Sequence, residues 1–209
     1  MTSYIRKPVL CKYCGKEYLA NMLRSTHQFR PSDLDLNPHN PAIYDEVIMC
    51  PHCKYVTTRI YEEVTERKAQ AVESEAYKKI WETLPFPNTV KRMLAAAYLE
   101  QNSENWRKAG HYYLKASWYL KERNMSEEKT MREIAVQCFE VYLEENQDEE
   151  CAILYIDCLR QLSRFEEAME MTEFLLPYLM EKEFLRKIVL YEQTLIKAKD
   201  SAAHSMGEV

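Results

Sequence analysis

The sequence predicts a mainly α-helical protein with a small β-rich module at its start. Three observations carry this prediction. Apolar residues recur at helical spacing from Tyr61 onward. The 209 residues include only 3 glycines, too few for folds rich in tight turns or for glycine-dependent phosphate loops. Two C-x-x-C pairs, Cys11/Cys14 and Cys50/Cys53, lie before residue 60, flanked by short apolar or β-branched stretches.

The first module is expected over residues 1–60. Tyr4–Val9, Glu17–Leu23, Val47–Met49 and Tyr55–Ile60 can each form a short strand feeding a cysteine turn, the plan of a zinc ribbon. Each C-x-x-C turn offers two thiolates to one face of an ion, so Cys11, Cys14, Cys50 and Cys53 are expected to bind one Zn²⁺ tetrahedrally. Four thiolates fill the coordination shell and leave no position for water or substrate, which makes the metal structural. Iron in a rubredoxin-like site is the rival metal. Gly15 directly follows Cys14, where a left-handed backbone lets the turn direct amides at sulfur. His52 reads as a turn residue, and His27 and His39 as loop polar residues. Pro31, Pro38 and Pro41 exclude a long helix between the pairs. So small a module is hard to stabilise by burial alone, and the metal is expected to supply much of its folding energy.

Composition narrows the class. Hydrophobic residues make up 46% and charged residues 29%, enough for a core and a solvated surface. No apolar run approaches the roughly 18 residues of a membrane span. Seven cysteines without an export signal point to a reducing cytoplasm and to metal rather than disulfides. Residues 1–60 carry 8 Lys/Arg against 5 Asp/Glu, and residues 61–209 carry 20 against 28. Neither part has the basic surplus of a protein that grips phosphate backbones, so nucleic-acid binding is disfavoured.

About seven helices are expected over residues 61–200, with a mobile tail at 201–209. Ala69, Val72, Ala76, Ile80 and Leu84 mark the first, ended by Leu-Pro-Phe-Pro. Asn88 is placed to cap the second. Trp106, Ala109, Tyr113, Ala116 and Leu120 form one stripe of the third. Ser126 is placed to cap the fourth and Ser163 the sixth, while Asn146 and Gln147 mark the break before the fifth at about Asp148. Cys138, Cys151 and Cys158 read as small buried hydrophobes. The aromatics Trp106, Tyr112, Tyr113, Trp118 and Tyr119 read chiefly as packing.

Internal similarity points to tetratricopeptide-like repeats. In residues 151–176, Ala152, Tyr155, Ile156 and Leu159 fall on packing positions of a first helix, and Phe165 and Ala168 on those of a second. Ala135, Phe139 and Tyr142 precede Ala168, Thr172 and Leu175 by 33 residues each. A second match over 93–116 pairs the third helix differently, and both registers stay open.

Taken together, C-K-Y-C-G-K at 11–16, N-P-A-I-Y-D-E-V-I-M-C-P-H-C at 40–53, R-K-A-G-H-Y-Y-L-K-A-S-W-Y-L at 107–120 and S-R-F-E-E-A at 163–168 resemble the bacterial domain of unknown function 2225 family. The resemblance implies a zinc-binding N-terminal module joined to tetratricopeptide-like helices. Lys54 stands where a glycine is usual, which questions the geometry of the second turn.

No nucleophile elbow, H-E-x-x-H or phosphate loop is present, and the chain is expected not to be an enzyme. The preferred expectation is a zinc-stapled interaction scaffold that binds a protein or peptide on a helical groove, with no membrane role. The alternatives are a nucleic-acid-associated regulator using Lys12, Lys16, Lys54 and Arg59, and a thiol-redox or metal-sensing switch.

Overall fold

A computed structural model describes residues 2–28 and 30–209. The chain divides into two compact units. One comprises residues 1–27 and 40–128, the other residues 28–39 and 129–209.

The first unit begins with the antiparallel hairpin β1 (Ser3–Leu10) and β2 (Glu17–Ser25). A 3-10 turn at Pro41–Asp45 follows, then a short antiparallel pair, β3 (Ile48–Met49) and β4 (Val56–Thr57). Each C-x-x-C segment is therefore the turn of a hairpin. Val9, Ala20, Ile48 and Ile60 form a small core, covered by Tyr18 and Met22. Helices α1 (Glu66–Glu73), α2 (Glu75–Glu82), α3 (Asn88–Gln101) and α4 (Trp106–Lys121) complete the unit. Helices α3 and α4 pack closely because small residues face the crossing: Ala95, Ala97, Ala109 and Ala116 are fully buried. Tyr112 and Trp118 are buried as packing residues.

These helices also hold the hairpins. Arg92 of α3 donates to the Val47 carbonyl at 3.0 Å and pairs with Asp45. Lys115 of α4 pairs with Glu46, and Tyr119 meets the Tyr44 ring edge-on. The boundary expected at 60/61 is therefore not where the chain divides. Side chains on α2, α3 and α4 are built into the same compact unit as the cysteine turns.

The second unit contains α5 (Glu128–Glu145), α6 (Glu149–Gln161), α7 (Phe165–Leu175) and α8 (Glu183–Lys197), with a 3-10 turn at Leu176–Leu179. Helix α6 packs on α7 and both contact α8. Cys138, Cys151 and Cys158 are buried, as the sequence predicts.

Residues between the cysteine pairs supply an unexpected part of this unit. Leu34 is buried, and Asp35 forms a buried ion pair with Arg132 at 2.9 Å. The residues expected as a mobile tail are hydrogen-bonded to the same segment. Leu34 donates to the His204 carbonyl, Met206 donates to the Ser32 carbonyl, and Met206–Glu208 form a 3-10 turn with a capping box.

Helix ends differ from expectation in instructive ways. The first expected helix is two, because Ser74 adopts extended backbone and accepts a hydrogen bond from the Tyr77 amide, capping α2. Asn88 lies inside α3, after Pro87. The Ser126 hydroxyl donates to Glu127, just ahead of α5. Asp148 caps α6 through the Cys151 amide. Ser163 does not cap α7. It takes a left-handed conformation with φ 63°, and Arg164 donates back to the Leu159 carbonyl. Glu104, Asn124 and Lys199 repeat this arrangement after α3, α4 and α8. These are Schellman-type endings made without glycine, which is how so glycine-poor a chain turns.

Candidate metal centre

The two knuckles are built alike. In the first, the Gly15 amide donates to the Cys11 carbonyl at 2.9 Å and the Cys11 amide to the Lys16 carbonyl at 3.0 Å. In the second, the Lys54 amide donates to the Cys50 carbonyl at 3.0 Å and the Cys50 amide to the Tyr55 carbonyl at 2.9 Å. Both turns need a left-handed residue after the second cysteine. Gly15 has φ 67° and Lys54 has φ 63°, so lysine at 54 leaves the turn intact. Beyond its chain neighbours, no atom lies within 4 Å of where a Cβ at Gly15 would sit. The requirement for glycine there is conformational rather than steric.

The knuckles bring Cys11, Cys14, Cys50 and Cys53 together, with the sulfurs all within 4.8 Å of one another. Cys11 and Cys53 Sγ are 3.7 Å apart, and Cys14 and Cys50 Sγ are 3.8 Å apart. These are not disulfides. A tetrahedral ion with metal–sulfur bonds of about 2.3 Å requires edges of about 3.8 Å. The donor set therefore fits a metal ion. Cys11 and Cys50 are buried and the other two half-buried.

Electrostatics agree with this fit. Burial raises the Cys11 thiol, against the pull of the Cys14 and Tyr13 amides. Burial also pushes the Cys53 thiol far up, and the clustered thiols add to it against the Tyr55 amide. Burial acts upward on Cys14 too, but the Lys16 amide and hydrogen bonds from neighbouring thiols outweigh it and leave this thiol lowered. Four thiolates cannot share so small a space unless a cation compensates them. Tyr18 and Tyr55 shield the site, and burial with neighbouring charge pushes both hydroxyls up to about 12.

The histidines stand apart from the sulfur cluster. The exposed His52 ring lies 3.2 Å from the Glu17 carbonyl, His39 pairs with Asp33 at 2.6 Å, and His27 is exposed.

A second feature, within the other unit, has no clear sequence signal. A cavity of about 320 Å³ opens between the α5–α6 connection and α7. Leu143, Ala152, Met171, Phe174, Leu175 and Tyr178 line it, together with acidic side chains at the end of α5, in the connection and at the start of α6. Phe174 and Tyr178 are 62% and 56% exposed, with ring centroids 5.4 Å apart. Both are large apolar residues spaced i, i+4, which reads in sequence as a core stripe.

A family model described as an uncharacterised protein conserved in bacteria, DUF2225, matches residues 4–182, a span that includes both cysteine pairs and α1–α7. No curated protein and no solved structure matches the chain. No helix among the described residues is long and apolar enough to cross a membrane.

Proposed function

The chain belongs to the bacterial DUF2225 family, and within it we propose a non-enzymatic interaction protein: one structural Zn²⁺ staples the cysteine hairpins, and the helical part presents a binding groove. Cytoplasmic thiols and a zinc ion suit the closed Cys₄ set, which a full shell of soft donors makes structural. A bound ion supplies charge compensation and cross-linking there. The chain's own amides and tyrosines orient and shield the sulfurs.

The observation that carries the interaction reading is the open groove itself, where Phe174 and Tyr178 stand exposed beside an apolar floor. Covering such a surface is favourable by about 25 cal/mol per Å² of apolar area. The packed pairs α3–α4 and α6–α7, with small residues at their contacts, support a tetratricopeptide-like reading of the helices.

A redox role is disfavoured because both C-x-x-C segments are hairpin turns, without the helix N-terminus that activates a thiol. The nucleic-acid reading rests only on scattered basic residues at the two cysteine hairpins, Lys12 and Lys16 in the first and Lys54 and Arg59 at the second.

Site-specific photo-cross-linking tests the proposal. A photoreactive side chain at Tyr178 is expected to yield a discrete adduct in the native cell, whereas one at exposed Tyr61 yields none. The absence of any adduct from Tyr178 contradicts the interaction reading.

A further inference from the structure

We propose that the groove between the α5–α6 connection and α7 receives a cationic amphipathic segment of a partner protein. Its apolar side chains seat between Phe174 and Tyr178, and its Lys or Arg side chains lie over Glu144 and Glu145. This rests on the interaction reading above and adds the chemistry of the partner.

Three independent observations select that occupant. The floor is apolar and its exposed aromatic pair is available to contact a ligand, the surface against which an amphipathic segment lays its apolar face. The rim is negative. Glu144 and Glu145 are exposed and border the groove, whereas Glu149 is engaged by Lys182 at 2.7 Å and Asp148 caps α6. The unit as a whole carries 10 Lys/Arg against 19 Asp/Glu, so its longer-range field favours the same sign of partner.

The third observation is where the rim acids sit. Glu144 and Glu145 are the last two residues of α5, whose final turn contains no basic residue. Unsatisfied carbonyls give a helix C-terminus partial negative charge, so carboxylates there are placed against their own helix. Carbonyls and carboxylates together form a concentrated negative site beside an apolar trough. Cations at the edge of an apolar ligand face complement both.

The test is fluorescence anisotropy on the full zinc-loaded chain with three labelled peptides. The first is a short amphipathic helix of Leu and Lys, the second has Glu in place of every Lys, and the third is a scrambled Leu/Lys sequence of the same composition. The proposal expects the first to bind and the other two to bind at least about tenfold more weakly, a difference of about 1.4 kcal/mol. Binding should weaken with salt. Phe174→Ala/Tyr178→Ala should weaken it by a similar factor. Glu144→Lys/Glu145→Lys should shift preference toward the Leu/Glu peptide. These four positions are exposed, and circular dichroism checks that the variants stay folded.

The proposal is overturned if the Leu/Lys peptide does not bind, if the scrambled or Leu/Glu peptide binds equally, or if neither double variant changes the affinity. A concentration-dependent dimer abolished by Phe174→Ala overturns it too, since a second copy then covers the groove. Recovery from Tyr178 cross-linking of a partner whose contacting segment is acidic or neutral would leave the interaction reading standing and remove this one.

Discussion

The Tyr77 hydroxyl donates a 2.9 Å hydrogen bond to the Lys54 carbonyl. A residue of α2 thus holds the backbone of the second cysteine turn at the one position forced into left-handed conformation. Tyr77 is 1% exposed, and burial pushes its hydroxyl well above the usual tyrosine range, so it remains a proton donor throughout the ordinary pH range. Metal site and helices of this unit are one cooperative structure in this account. Tyr77→Phe leaves the Lys54 carbonyl without this partner and should cost about 1–3 kcal/mol. Chemical denaturation followed through the first unit measures this, and a faster release of bound metal to a chelator should accompany it.

The two left-handed turn residues should respond oppositely to substitution. Lys54→Gly removes a side chain from a conformation that costs a non-glycine residue about 1–2 kcal/mol, so it should stabilise the first unit by up to about that amount. Gly15→Ala should destabilise it by a comparable amount, from backbone conformation alone. Paired urea melts of the metal-loaded variants check both signs.

Within the second unit, Arg160 is fully buried between Asp157 and Glu192 and also donates to the Asp200 and Ala202 carbonyls. Burial raises the Glu192 carboxyl well above its usual range, with Asp157 adding to the effect and Arg160 opposing it, a balance that favours the protonated form. Arg132 faces Asp35, and Arg160 faces Asp157 as well as Glu192. Glu192→Gln should therefore be nearly neutral in stability. Asp157→Asn or Asp35→Asn removes a carboxylate that faces a buried arginine and should cost about 3–5 kcal/mol. Thermal melts of the three variants separate these outcomes.

The His204 ring lies between Asp200 at 3.0 Å and Glu208 at 2.9 Å, with Tyr191 against its edge. Burial lowers the imidazole pKa, but hydrogen bonds to Glu208 and Asp200 outweigh it and hold it raised. A raised folded-state pKa means the stabilisation is complete below the unfolded value of about 6.5 and is lost as pH rises through the folded value. The C-terminal strap should therefore loosen on the alkaline side of neutrality. Hydrogen exchange at the Leu34 and Met206 amides, corrected for intrinsic rate, should lose protection there, and His204→Gln should remove the pH dependence.

The two ends of the site's construction were legible to different degrees. C-x-x-C spacing is local, and Cys11, Cys14, Cys50 and Cys53 meet as their spacing implies, with strands close to the expected positions. The helix termini were read less well because Ser74, Ser126 and Ser163 are one residue type in three backbone settings. Ser74 caps α2, Ser126 donates to its neighbour Glu127, and nothing local to Ser163 marks its left-handed turn. The segment between the cysteine pairs reads as a proline-rich loop, yet Leu34 and Asp35 are buried, Asp35 bonded to Arg132 and Leu34 to the His204 carbonyl. Arg132 and Gln161 both reach Asp35, long-range matches with no sequence period. Phe174 and Tyr178 show the converse ambiguity, since helical spacing of apolar residues does not distinguish a core stripe from an open groove.

The central claim is that the four cysteines hold a structural ion on which the whole first unit depends, and metal analysis joined to thiol titration and hydrogen exchange tests it most directly. The account predicts one tightly held Zn²⁺ per chain and four protected thiols at Cys11, Cys14, Cys50 and Cys53. On chelation those thiols should react, and amides of α3 and α4 should lose protection along with those of the hairpins. Native chain without bound metal, cysteines reactive before chelation, or α3 and α4 unchanged after it would contradict the account.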